Sequence, residues 1–279
     1  MRVGLATHMR CLARLAVTVW LATLPAAAQA QSEEPAFRRG IAIAHSMAWA
    51  EIEPSPSKAF AFQAFVEQSR RLNAAELQSL RRAGFDFVRL AVDPGPFLQF
   101  EGARRDRLDR VLLDQVGLIL SAGLAVIVDF HPSDLHPGYT GRALTGGADT
   151  PAFRGYVRLL ERTAILLDGL KSRRVAFELM NEPPVSPELW QPMLEAAYSS
   201  VRKRAPHLLL VLPGASDGMP EGLLGLRTAA FRRRSGGALH LPLLRAVPVH
   251  PPGRIVERGA APGRCAITIT QPTNRAAND

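Results

Sequence analysis

Five short apolar runs, each halted by a proline, a glycine or a polar side chain, alternate in this chain with stretches of helical periodicity. The runs are Gly40 to Ala44, Phe85 to Val92, Leu124 to Phe130, Val175 to Met180 and Leu208 to Leu212. Between the first two, Asn73-Ala74-Ala75-Glu76 has the form of a capping box, since the Asn oxygen can take an early N–H and Glu76 can reach back. Leu77, Leu80 and Ala83 then recur at helical spacing and Gly84 ends the helix. Leu108, Val111, Leu112, Val116 and Ile119 make one apolar helix face that stops at Gly123. A further helix spans Ala152 to Leu167, and Ser186-Pro187-Glu188 opens another with a cap, a first-turn proline and an acid. Apolar strands alternating with helices form a parallel sheet covered on both faces. A doubly wound sheet would carry a glycine-rich phosphate loop after its first strand, and Gly40 to Ser46 offers none. The expected fold class is therefore α/β, a (β/α)8 TIM barrel with only its first five βα units present and an irregular C-terminal tail.

In such a barrel the chemistry collects at the C-terminal ends of the strands. Here those ends carry His45, Arg89, His131, Asn181 and Glu182. Pro183 cannot continue the fourth strand, so Asn181 and Glu182 belong at its mouth.

Of the 279 residues, residues 1–30 read as a secretory signal. Arg2, Arg10 and Arg14 make a basic start, and Leu15 to Leu24 is too short to span a bilayer. Ala28-Gln29-Ala30 is a cleavage pattern that starts the mature chain near Gln31. The expected organisation is a signal at 1–30, a partial barrel at 31–231 and an irregular basic tail at 232–279. The expected location is secreted or periplasmic, with no membrane partner after cleavage and a monomeric state. The net charge of +9 invites a nucleic-acid partner, but its distribution excludes one. Three arginines lie in residues 1–30, and eight lie in residues 232–279 against Glu257 and Asp279. The body between is neutral, whereas a nucleic-acid binder carries its basic patch on the folded body. Cys11 lies in the leader and Cys265 in the tail, so the core forms without a disulfide framework.

Four segments in register resemble the cellulase family of glycosyl hydrolases, glycoside hydrolase family five. They are Arg38-Arg39-Gly40-Ile41, Phe87-Val88-Arg89-Leu90, Val128-Asp129-Phe130-His131 and Leu179-Met180-Asn181-Glu182-Pro183. The likeness runs from about residue 38 to residue 226. It implies a retaining hydrolase acting on a β-linked polysaccharide or oligosaccharide. It further implies that Glu182 is the general acid/base, that Asn181 bonds the sugar 2-hydroxyl, that Arg89 steadies the nucleophile carboxylate and that His131 lines the same subsite. The chemistry is coherent by itself. A glycosidic oxygen leaves poorly without a proton, and a carboxylic acid in a suitable environment supplies one. An amide suits a hydroxyl because it both donates and accepts.

Plainer readings stand beside these. Arg89 can be an exposed strand-end arginine, His131 a strand cap and His45 structural. Trp49 is either a ring stacked on a sugar face or a packed loop tryptophan. Trp190, in the first turn of a helix, reads as packing. Glu178 reads as a buried, hydrogen-bonded support one layer below the motif. A metal held by Asp129, His131 and Glu182 is conceivable, but no ligand-spacing motif supports it, and acid-nucleophile hydrolysis implies no cofactor.

A retaining glycosidase needs a second carboxyl group roughly 5 Å from the first. The resemblance implies a glutamate on the seventh strand, and nothing after Phe231 reads as a βα unit. Glu257 has no strand-end setting, so the nucleophile has no candidate in this chain. The residues from Ala238 to Arg258 can share a DNA string with an aromatic peptide in a neighbouring frame, one whose His-x-Tyr resembles the family's sixth strand. A frame change near Phe231 would account for the tail.

Overall fold

The structure is a computed structural model that describes residues 37–54, 57–65, 67, 72–232 and 238–240. The expected leader and the tail beyond His240 lie outside the described residues. The element order is β1 (Gly40–Met47), α1 (Ala74–Arg82), β2 (Phe87–Val92), α2 (Gly95–Gln99), α3 (Gly102–Ser121), β3 (Ala125–Phe130), α4 (Gly141–Leu144), α5 (Pro151–Gly169), β4 (Val175–Glu178), α6 (Pro187–Arg204), β5 (Leu209–Leu212), α7 (Pro220–Leu224), α8 (Ala229–Arg232) and β6 (Ala238–His240).

All strand pairs are parallel and the sheet order is β1-β2-β3-β4-β5-β6, the order of the sequence. A doubly wound sheet reverses direction at a switch point, whereas a barrel adds each strand beside the last. The order therefore assigns the chain to the barrel class. β6 is one strand more than the five expected, and it lies beyond the expected domain boundary at residue 231. Ala238 to His240 pair with Leu210 to Leu212, and a segment of three residues is too short to show periodicity in a sequence.

Strand side chains alternate between two cores. Val88, Leu90, Val126, Val128, Phe130, Phe177, Leu210 and Leu212 pack outward against the helices, with Leu112, Val116, Ile119, Leu160 and Val201 in the same cluster. Each such side chain removed from water contributes about 1.5–3 kcal/mol. Phe87, Ala125, Ile127, Ala176 and Val211 face the barrel interior, where Phe37 joins them. On β1 the inward positions Ala42 and Ala44 are exposed while Ile43 is buried. No strand pairs with the outer edge of β1 among the described residues, so this part of the inner wall meets solvent. Gly40 is required at the barrel floor, because a Cβ there would lie 2.1 Å from the Phe87 ring.

Local signals mostly act as expected. Asn73 and Glu76 form the full capping box of α1, and Gly84 follows it at φ +85°. Trp190 is buried and its indole N–H donates to the Pro213 carbonyl at 3.1 Å, which makes it a packing residue. Three details differ. Pro94-Gly95-Pro96 does not merely stop β2 but starts α2, since proline suits a first helical turn. Ser186 precedes α6 without a side-chain cap bond, because its hydroxyl engages the Glu188 carboxylate instead. The fourth strand ends at Glu178 rather than running to Met180.

Candidate active site

Register explains how the strand-end side chains meet. Asp129 on β3 pairs with Glu178 on β4, which sets two carboxylates side by side, a repulsive arrangement by itself. Ala91 pairs with Asp129 from the other side, and Arg89 lies two residues below it. The small alanine leaves space, and the long Arg89 side chain bridges both acids. Its Nε and Nη2 donate to the two Glu178 oxygens at 2.7 and 2.8 Å. Nη2 also lies 3.0 Å from Asp129 Oδ2 and 2.9 Å from Asn181 Oδ1. Two-point bonding of this kind orients a guanidinium as well as neutralising it.

His131 stands at the end of β3. Its Nδ1 is 3.1 Å from Asp129 Oδ2 and its Nε2 is 3.4 Å from Asn181 Nδ2. Arg89, His131 and Asn181 thus form one cluster on a base of two acids. Glu178 is the buried support that its position suggested. Asp129 was visible only as part of a motif, and it proves to be the shared anchor of Arg89 and His131. Trp49 is 61% exposed just past β1, at the same end of the sheet. It is therefore not a packed loop residue, and it takes no part in the cluster's hydrogen bonds.

Glu182 is exposed, and its charge acts on both Arg89 and His131. Its backbone is left-handed at φ +40°, although a residue before proline is normally extended. Such a conformation costs of order 1–3 kcal/mol and persists only where neighbours impose it. The neighbours are identifiable. Asn181 N–H donates to the Phe130 carbonyl at 2.7 Å. The Pro183 carbonyl accepts from Asp217 N–H at 3.1 Å and the Val185 carbonyl from Ser216 N–H at 2.8 Å. The turn after β5 that supplies these donors needs Gly222, where a Cβ would lie 2.0 Å from the Ala215 carbonyl oxygen.

Electrostatics follow burial. Burial works against the Arg89 charge, but Asp129 and Glu178 outweigh it and hold the guanidinium above its ordinary range. Burial pushes the Glu178 carboxyl up to about 7, while Arg89 pulls it back and Asp129 adds to the rise. Burial also opposes protonation of His131, yet the hydrogen bond and charge of Asp129 raise it overall. A third buried acid lies at this end of the sheet. Asp93, after β2, accepts from Gly95 N–H at 2.8 Å and from the Ser133 hydroxyl at 2.6 Å. It ties the β2 loop to the β3 loop beneath the site. In the sequence its Asp-Pro-Gly-Pro context suggests only a turn residue.

Among the described residues no group of three or more His, Cys, Asp or Glu side chains is arranged to hold a metal ion. Glu178 spends both oxygens on Arg89, and Asp129 Oδ2 is shared between Arg89 and His131 while its Oδ1 is buried without a hydrogen-bond partner. The arrangement can present one carboxyl group, an oriented amide and an imidazole to a ligand at the strand mouths.

Comparison with known proteins gives a concordant result. The model of the cellulase family (glycosyl hydrolase family 5) matches residues 51–240. The endoglucanase Cel5A of the hyperthermophile Thermotoga maritima superposes with a TM-score of 0.56 at 17% identity, covering 74% of this chain and 60% of that one. The cellulose synthase subunit Z of Clostridioides difficile gives 0.52 at 17% identity, covering 68% and 57%. A structure described as an endoglucanase gives 0.52 at 16% identity, covering 68% and 56%. The chain thus spans less than two thirds of the length of these structures, and likeness at this identity concerns the fold. No curated protein matches the chain. The family match covers most of the chain, which therefore belongs to the cellulase family, glycosyl hydrolase family 5.

Proposed function

We propose that the chain carries the acid/base half of a retaining glycoside hydrolase acting on a β-linked polysaccharide in a secreted or periplasmic setting. The observation that carries this reading is Glu182, an exposed carboxyl held in a left-handed backbone beside Arg89 and His131. In the reaction Glu182 gives its proton to the glycosidic oxygen as the bond to the anomeric carbon breaks. A nucleophile carboxylate takes that carbon, and water later displaces it while Glu182 receives the water's proton. Asn181, adjacent to Glu182, is the partner for the sugar 2-hydroxyl, and His131 lines the same subsite. Trp49, exposed at the rim, offers a ring face to a further sugar. One solved relative is described in complex with cellobiose and another with mannotriose, which supports a β-linked hexose substrate.

The nucleophile does not come from the cluster itself. Asp129 and Glu178 are buried and bonded to Arg89. Turnover by this chain is therefore expected to be slight or nil. The second reading, carbohydrate binding without hydrolysis, is favoured by the same observation, because the Arg89 guanidinium meant to steady a nucleophile is already engaged by Glu178.

The test is release of reducing ends from soluble cellulose and mannan, alongside calorimetric binding of cellotriose. Binding with slight turnover, both lowered by Glu182→Gln or Asn181→Ala, fits the proposal. Hydrolysis at ordinary glycosidase rates that survives Glu182→Gln removes Glu182 from its role. Products of inverted anomeric configuration remove the retaining mechanism.

A further inference from the structure

Two lines of hydrogen bonds meet on the Asn181 side chain, and the donor-acceptor identity of every group in them is fixed. A guanidinium only donates. The Asn181 atom 2.9 Å from Arg89 Nη2 is accordingly the amide oxygen. On the other side, the Asp129 carboxylate is ion-paired with Arg89 Nη2 at 3.0 Å and faces His131 Nδ1 at 3.1 Å. It is an acceptor, so Nδ1 carries the ring proton. The neutral imidazole then has a bare Nε2, and the Asn181 group 3.4 Å from it is the amide NH2, which donates. The two lines agree on one orientation of the amide.

We propose that Glu178 and Asp129 are positioning residues that lock the Asn181 amide in one orientation, Glu178 through Arg89 and Asp129 through His131. The oxygen is turned inward to Arg89, one N–H is held by His131, and the second N–H is left for a ligand. With Asn181 as the sugar-contacting residue, which rests on the function proposed above, the site offers the 2-hydroxyl a donor rather than an acceptor. Glu178 is essential to this arrangement because it holds two guanidinium nitrogens at once. Replacing one of its oxygens by an NH2 sets donor against donor and releases the guanidinium.

The lock is conditional on a neutral His131. A second ring proton would put Nε2–H against the amide N–H. The amide can turn away only by placing its NH2 against Arg89, which is worse. The charged groups that act on this imidazole are Asp129 on its own strand, Arg89 on β2, Asp93 on the loop after β2, and Glu178 and Glu182 on and after β4. The amide is thus locked at alkaline pH and loosened in acid.

The test uses nitrogen-15 spectra of the full chain. At a pH high enough to leave His131 neutral, which its raised pKa sets above the ordinary histidine range, the ring should show the Nδ1–H tautomer. The Asn181 side-chain NH2 should exchange slowly with water, and faster as His131 protonates. Glu178→Gln should speed that exchange several-fold while the Asn181 backbone amide, bonded to Phe130, keeps its protection. A merely structural role would loosen both together. An Nε2–H tautomer in the unmodified chain overturns the proposal, as does side-chain exchange that Glu178→Gln leaves unchanged. Should Glu178→Gln fail to fold, the tautomer alone decides. Cellotriose binding reads the proposed function separately: its absence sinks the sugar site and leaves the amide measurement standing.

Discussion

The Tyr156 hydroxyl on α5 donates to the Leu179 carbonyl at 2.6 Å, one residue past the end of β4. Both residues are buried. The carbonyl lies where the chain leaves the sheet, and this phenol satisfies it in the interior. Burial raises the Tyr156 pKa well above its ordinary value, helped by Asp129 and Glu178, so the hydroxyl stays a donor at any working pH. Tyr156→Phe keeps the ring and leaves the buried carbonyl without a donor. The expected loss is about 1–3 kcal/mol of stability in urea unfolding. Because Asn181 and Glu182 follow immediately, cellotriose affinity should fall with it. An unchanged unfolding midpoint would show that water or another group takes the carbonyl.

Gly40 and Phe87 make a second tight pair. The ring of Phe87 covers the barrel floor, and a Cβ on Gly40 would lie 2.1 Å from it. Gly40→Ala is therefore expected to destabilise by about 1–3 kcal/mol through overpacking. Shortening the ring should relieve the clash, so Gly40→Ala with Phe87→Leu should lose less than the two single changes added together. Strict additivity in a double-mutant cycle would mean that the pair does not interact.

These pairs show which features a sequence exposes. β2, β3 and β5 are legible because each is an apolar run bounded by Pro, Gly or a polar side chain. α1 is legible because Asn73 and Glu76 bond within one turn. Arg89, His131, Asn181 and Glu182 stand out as polar residues at the ends of such runs. Their partnerships do not stand out, since Arg89 and Asn181 are 92 residues apart and meet only through sheet register. The left-handed backbone of Glu182 was hidden too, because a residue before proline is expected to be extended. Asp93 looked like any turn aspartate, and only the packed loops around it reveal a buried acid. β6 pairs over Ala238 to His240, too few residues for any pattern to register.

The tail invites a measurement on the gene. If the frame changes near Phe231, the codons from Ala238 to Arg258 will spell an aromatic, strand-like peptide in a neighbouring frame. A glutamate at a seventh strand end should follow further along that frame. Restoring the frame should then raise turnover on soluble cellulose by orders of magnitude, since the two carboxyl groups act as a unit. Codons with no such peptide in either neighbouring frame end the idea. They would leave β6 as the native sixth strand of a divergent relative.

Asp93 gives the sharpest pH prediction. Burial pushes its carboxyl up to about 6, against the pull of the Ser133 and Gly95 bonds and of His131. The folded protein then holds the proton more tightly than the unfolded chain. Stability from this group is complete below about pH 4 and is lost as pH rises through about 6. A rise of about two pKa units corresponds to about 3 kcal/mol at most. Asp93→Asn imitates the protonated acid. Its amide oxygen can accept from Gly95 N–H and its NH2 can donate to the Ser133 hydroxyl. The variant should match the parent chain near pH 4 and exceed it in stability near pH 8. The gap should open between those limits in urea unfolding followed at several pH values. Parallel stability curves for the two proteins would mean that Asp93 is already ionised in the fold, and that its bonds to Ser133 and Gly95 outweigh its burial.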